Sequence, residues 1–222
     1  MRGIVPKILP LENGDRLTRT EFESRYEAMP HLKKAELIEG IVYMGSPVRV
    51  IHGRPHGDIV GWLSSYKIVT PGVDLLVDTT VRLDPDNEPQ PDALLRIEVG
   101  GQSIISEDSY VEGAPEFIAE IAASSASYDL REKLRVYRRN QVQEYLIWQV
   151  YEQRIDWFRL REGEYIALQA DEAGIIKSEV FPGLWLAIPA LLAGNLVEVN
   201  SALQLGLATP EHQAFIEQLG NR

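Results

Sequence analysis

Apolar positions follow two different periods along the chain, and the switches between them outline its elements. Ile59, Val60, Leu63 and Tyr66 recur at helical spacing within residues 55–68. Upstream, Thr18 or Thr20 is placed to cap a helix running to about Glu27. Glu21 and Glu23 lie in its first turn, where carboxylates meet the positive end of the helix dipole. AELIEGIVYM (35–44) reads as a hairpin or bent strand broken at Gly40. Pro71-Gly72 marks a turn, VDLLVDTTVRL (73–83) is β-rich, and DPDNEPQ follows as a polar turn. PDALLRI (91–97) is a strand opened by Pro91, where a missing N–H does little harm. Residues 100–114 read as a Gly/Ser-rich loop and FIAEIAAS (117–124) as a short buried strand.

Residues 129–139 predict a helix with Asp129 as N-cap and Glu132 three residues on. QEYLIWQV (143–150), RIDWFRL (154–160) and EYIALQ (164–169) predict a three-stranded meander that turns at Arg161-Glu162-Gly163. Helices follow near 189–194 and 196–206, and a last one starts at Pro210, a residue suited to the first helical turn. No internal repeat, low-complexity tract or linker divides the chain. The economical architecture is a mixed α/β domain with helices against a central sheet. The expected organisation is an arm over residues 1–17, a main domain over 18–188 and a C-terminal helical extension over 189–222.

Composition narrows the chemistry. A hydrophobic content of 45% in 222 residues supports a sizeable core without staples. With no cysteine, disulfides, thiolate metal sites and a cysteine nucleophile are excluded. The net charge of −11 argues against a broad nucleic-acid-binding surface, because phosphate affinity comes mainly from Lys and Arg. Basic residues are nonetheless clustered: Arg131, Lys133, Arg135, Arg138 and Arg139 fall close together. For the arginines alone the ordinary reading is a solvated helix face. No apolar run suits a signal peptide or a membrane span, so the expected location is cytoplasmic, away from membranes.

Alternation along a strand puts Asp92, Leu94 and Arg96 on one face, and Ile118, Glu120 and Ala122 on one face of the next apolar strand. Glu120 is the only charged residue inside that run. An ionised carboxylate there is costly unless paired or metal-bound, so a salt bridge to an arginine is the structural alternative. Lys133 borders the apolar stripe of Leu130, Leu134 and Tyr137, while Arg131, Arg135 and Arg138 lie more nearly opposite. It can reach a carboxylate site from there, or snorkel into water. Two carboxylates with a lysine close by can hold Mg²⁺, with waters and a substrate phosphate in the remaining positions. The metal acidifies a bound water and the lysine stabilises the transition state electrostatically.

Several segments together resemble a known family: AELIEGIVYM with HGRPHGDIVGWL, EPQPDALLRI, EGAPEFIAEIAASSASYDLREKLRVYRRNQVQEYLIW, and SEVFPGLWL. They resemble the PD-(D/E)XK restriction-endonuclease-like superfamily and, within it, the Uma-two family, long catalogued as a domain of unknown function. The matching segments run from about residue 18 to 190. The resemblance implies a restriction-endonuclease-like mixed central sheet flanked by helices, and a Mg²⁺- or Mn²⁺-dependent endonuclease acting on DNA. Asp92 then matches the signature aspartate and Glu120 the second acid. Position 122, where the signature carries lysine, is Ala122 here; relatives carry a lysine at the position of Lys133 instead. Glu36 or Glu39 matches the acidic residue that many such nucleases add from their first element, although Glu39, just before Gly40, equally suits a turn. Tyr128 and Tyr137 line the site or simply pack.

Other features carry less. His52 and His56 are spaced for a two-histidine metal site on a helix, but Gly53 and Pro55 intervene and speak against a helix through both. Either histidine is placed to approach the nuclease pocket. Ser124, Ser125 and Ser127 lack the Gly-x-Ser-x-Gly elbow of acyl transfer, and Gly100-Gly101 lacks the Gly-Lys-Ser/Thr of a phosphate loop. Trp148, Trp157, Phe158 and Tyr165 favour core or interface packing over base stacking. Aromatic strands at 143–160 and the apolar segment Ala190–Leu207 suggest a homodimer, the assembly that cutting two strands with single-site subunits calls for. The alternative to an enzyme is a binding or scaffolding module that keeps the fold without the chemistry.

Overall fold

The computed structural model describes residues 8–45, 47–123 and 129–222, the side chains of residues 129 and 130 excepted. The serine run, Tyr128 and the expected Asp129 cap therefore lie outside the described residues.

Thr18 caps α1 (Arg19–Glu27) by accepting from the Glu21 N–H. The hairpin of β1 (Ala35–Ile38) and β2 (Ile41–Met44) turns at Glu39 and Gly40, both at positive φ, 52° and 72°. Residues before α1 extend the hairpin: Arg16 bridges Ile41, and the Gly14 N–H donates to the Val42 carbonyl. Leu11 is buried there with Phe22, Leu37 and Val42.

The next helix, α2 (Val50–Ile68), runs straight through His52, Gly53, Pro55 and His56. The sequence reading opposed a helix here, because a proline beyond the first turn removes a hydrogen bond and crowds a carbonyl. Burial decides otherwise: Pro55, Ile59, Trp62, Leu63 and Tyr66 form one packed stripe of α2.

The central sheet has six strands. In chain order they are β3 (Val73–Val77), β5 (Ala93–Ile97), β8 (Phe117–Ala122), β9 (Glu144–Gln149), β10 (Arg154–Arg161) and β11 (Glu164–Ala167). Their spatial order is β11-β10-β9-β8-β5-β3, and every pairing is antiparallel except β8 with β9. Parallel neighbours need a crossover. It contains a π-helical turn over Asp129–Lys133 leading into α3 (Leu134–Arg139), where a uniform helix was expected. Such turns carry one extra residue per turn.

Residues 73–83 divide between β3 and β4 (Val81–Arg82). The expected loop 100–114 contains β6 (Ile104–Ile105) and β7 (Val111–Glu112), which join β4 in a small sheet of order β4-β7-β6. A further hairpin, β12 (Ile175–Lys177) with β13 (Trp185–Ala187), precedes α4 (Ile188–Leu192), α5 (Leu196–Leu207) and α6 (Pro210–Gly220). Two-residue strands are too short to show a period, which is why the small sheet escaped the pattern reading.

One face of the central sheet packs on α2, α5 and α6, through Trp62, Tyr66, Phe117, Trp157, Leu203 and Phe215 among others. The opposite face packs on α3, through Leu94, Ile118, Ala122, Val136, Tyr137 and Ile147. Tyr145, Trp148 and Trp157, which had suggested an interface, are buried within the chain. Among the described residues, no helix is long and apolar enough to cross a membrane.

Candidate active site

Strand β5 pairs with β8 so that Ala93 faces Ala119. Continuing that antiparallel register by one residue sets Asp92 opposite Glu120, and opposed residues share a face. The sequence alternation is reproduced, since Leu94, Ile118 and Ala122 lie together in the α3-side core. Both carboxylates are buried. One Asp92 oxygen, Oδ2, accepts the Ile121 N–H at 2.7 Å, which ties Asp92 to the residue after Glu120.

The β8–α3–β9 crossover returns a helix over this face. Lys133, the last residue of its π-helical turn, is buried rather than snorkelling. Its ammonium lies 2.7 Å from Glu120 Oε1 and 2.9 Å from Glu36 Oε1. The Tyr137 hydroxyl, one turn on, donates to the same Glu120 oxygen at 2.8 Å. Of the two Tyr137 readings, contact with the site is therefore realised alongside packing.

The hairpin separates Glu36 from Glu39. Glu36 is buried on β1, and its Oε1 also accepts the Gln90 N–H at 2.7 Å. Glu39 sits in the turn, with its carboxylate turned to Arg139 at 3.1 Å and to Arg135 at 4.0 Å. It is therefore part of the surface ion-pair group that occupies the exposed arginines, as Glu164 is for Arg138. Lys133 alone of that basic run enters the core site.

Three further side chains, Lys34, His52 and His56, complete the cluster. The Lys34 ammonium is 3.7 Å from Asp92 Oδ1, and His52 Nε2 is 3.3 Å from Asp92 Oδ2. His56 Nε2 lies 3.0 Å from the Asp92 carbonyl oxygen. The histidines thus meet around Asp92. Lys34 was missed by sequence reasoning; it leads into β1 with no periodic signal, and its reach depends on how the hairpin folds back.

The electrostatics are those of a charged, buried cluster. Burial pushes the Asp92 carboxyl up, but the His52 hydrogen bond, the Lys34 and His52 charges and the Ile121 N–H outweigh it and hold it at about 2. Asp92 is therefore ionised at neutral pH. Burial pulls the Lys34 ammonium down; Glu36, Glu120 and Asp92 overcome that, against Lys133, and its pKa is raised.

Among the described residues no group of three or more His, Asp or Glu side chains converges as a ready-made metal cage. Asp92 and Glu120 still suit a hard cation, because both offer carboxylate oxygens and Mg²⁺ needs few protein ligands. Glu36 is a third acid beside them, sharing the Lys133 ammonium with Glu120.

Residues 20–189 match the family model described as "Uma2: Putative restriction endonuclease". A solved structure, described as that of a "putative nuclease belonging to DUF820" from Anabaena variabilis, has the same fold. It is 14% identical with a TM-score of 0.58, over 77% of this chain and 96% of that one. No curated protein matches the chain.

Proposed function

The chain belongs to the Uma2 family of putative restriction endonucleases, and from that premise we propose that it hydrolyses phosphodiester bonds in DNA with Mg²⁺ or Mn²⁺. The observation that carries this reading is the buried Lys133 ammonium on Glu120 and Glu36, in a site whose signature lysine position is Ala122. Asp92 and Glu120 would hold the metal, with Glu36 as an additional carboxylate. A cation bound there would acidify a water and neutralise charge developing on phosphorus.

The chain's own groups have separable roles in this reading. Asp92 is kept ionised and fixed in orientation by His52, Lys34 and the Ile121 N–H. Lys133 is the displaced catalytic lysine, orienting the attacking water and stabilising developing negative charge from a fixed, desolvated position. Tyr137 holds Glu120 in place. Two copies of the chain would cut the two strands of a duplex, so the active form is a homodimer, to be checked as a doubling of the 25.0 kDa chain mass in light scattering.

Purified protein with Mg²⁺ or Mn²⁺ is expected to nick or cut some members of a broad DNA panel, and Asp92→Ala to abolish the cleavage. Equal trace activity in both would defeat the enzyme reading. It would leave the second reading, a nuclease-fold binding module in which Lys34 and Lys133 simply neutralise buried acids. The feature favouring that module is the Lys34 ammonium set against Asp92, the carboxylate a metal would need.

A further inference from the structure

A second acidic site lies outside the nuclease cluster. A cavity of about 210 Å³ is lined by Glu23, Tyr26 and Glu27 of the α1 helix, with Thr80, Glu88 and Tyr110. That volume holds several water-sized groups. Glu88 is only 2% exposed, and its Oε2 is buried with no donor group bonded to it among the described residues, the nearest titratable neighbour being the Glu23 carboxyl. Its main chain is fixed: the Glu88 N–H donates to the Leu37 carbonyl at 2.7 Å, and the Leu37 N–H donates to the Glu88 carbonyl at 3.1 Å. A buried polar atom left without a partner is costly, and native folds rarely tolerate one without a purpose.

The neighbouring cations are already engaged. Arg82 Nε lies 2.8 Å from Glu23, and its Nη1 reaches Asp108 at 2.8 Å and Glu112 at 3.5 Å. Its guanidinium is centred 4.0 Å over the Tyr110 ring, so that ring already accepts a cation. Arg19 pairs with Glu23 at 3.5 Å. Glu88 therefore faces Glu23 and Arg19 from α1, Arg82 from β4, and the Tyr26 and Tyr110 rings, with too little positive charge for its own.

We propose that this cavity binds an aliphatic ammonium group, its charge set between Glu23 and Glu88 and its alkyl chain along Tyr26 and Tyr110. The chemistry fits a free diamine or a lysine side chain. A metal ion suits it less, because among the described residues no three acid or histidine side chains, Glu23, Glu27 and Glu88 included, are arranged to hold one. Burial and Glu23 push the Glu88 carboxyl up to about 8, with Arg82 and Arg19 opposing. Glu88 then carries a proton at neutral pH, and an entering ammonium displaces it. Binding is thus coupled to proton release and strengthens as pH rises toward 8.

Titration calorimetry of the full chain tests this at neutral pH, in two buffers of different ionisation enthalpy. One arm uses 1,4-diaminobutane and the other Nα-acetyl-lysine methylamide. Either arm is expected to show binding with release of up to one proton, and Glu88→Gln to weaken it by about tenfold or more and remove the release. Binding of the diamine assigns the site to free amines; binding of the lysine derivative alone assigns it to a protein side chain. Shifts of the Tyr26 and Tyr110 ring resonances in the wild-type protein locate the ligand independently of the variant. No binding in either arm at tens of millimolar, binding without proton release, or equal binding to Glu88→Gln overturns the proposal. None of these outcomes depends on whether the nuclease site cleaves DNA.

Discussion

Glu36 and Glu39 show how three positions along a hairpin separate a buried, lysine-paired glutamate from a surface one. Glu36 sits on β1 under the Lys133 ammonium, whereas Glu39 turns outward at positive φ toward Arg135 and Arg139. Glu36→Gln is therefore expected to lower cleavage by about 10- to 100-fold, the loss typical of one electrostatic contributor. Glu39→Gln should leave cleavage unchanged, with initial rates on a nicked-plasmid substrate as the comparison. The sequence could not choose between the two, because either glutamate suits a short hairpin of unknown turn. That Asp92, Glu120 and Lys133 come together was legible because strand alternation and the helical stripe are local patterns. Lys34 was not, since it acts across the fold from an end with no period. His52 was placed near the pocket by its segment, but its bond to Asp92 depends on α2 starting at Val50, ahead of Pro55.

At the scale of elements, burial repeatedly overrides local preference. Pro55 inside α2 is one case, and Gly206 in α5 is another. Gly→Ala in a helix ordinarily stabilises by about 1 kcal/mol. Here a Cβ on Gly206 would stand 2.3 Å from the Gly183 carbonyl oxygen and 2.8 Å from the Trp185 ring. Gly206→Ala should instead destabilise by about 1–3 kcal/mol, as overpacking does, measured by denaturant unfolding.

Strand β9 carries a second element-scale device in Glu144. It is fully buried and accepts from Ser178 at 2.7 Å, Trp157 Nε1 at 3.2 Å, and the Glu179 and Val180 N–H groups at 2.7 and 3.2 Å. It thus fastens the sheet to the segment before β13. Burial raises its pKa from 4.5 to about 7 despite these donors and Arg159. The native state therefore binds this proton more tightly than the unfolded chain, and the stability it brings is lost as pH rises from 4.5 through 7. Unfolding of wild type and Glu144→Gln at the two ends of that window should show the wild type losing on the order of 2 kcal/mol relative to the variant as pH rises. A pH-independent difference would mean that the carboxyl does not titrate there.

The whole molecule places one lysine where three separate parts of the chain meet: β1 brings Glu36, β8 brings Glu120 and the crossover brings Lys133. The C-terminal helices α5 and α6 join the core on the other sheet face with Val199, Leu203 and Phe215, so the site and the tail lie on opposite sides of the sheet. Tyr145, Trp148 and Trp157 are taken up by packing within the chain, whereas Tyr151 and, on α5, Leu196, Val197 and Leu205 are exposed. The case for two copies rests on those exposed apolar side chains and on the geometry of cutting two strands.

In the proposed mechanism Lys133 supplies the catalytic cation missing at Ala122. The most direct test of this role is Mg²⁺-dependent nicking of DNA by Lys133→Met, run at a temperature where circular dichroism shows the variant folded. That control is needed because removing one partner of a buried ion pair costs about 3–5 kcal/mol. Cleavage is predicted to fall at least about 100-fold while the fold persists. A folded Lys133→Met protein that nicks DNA at the wild-type rate would contradict the account.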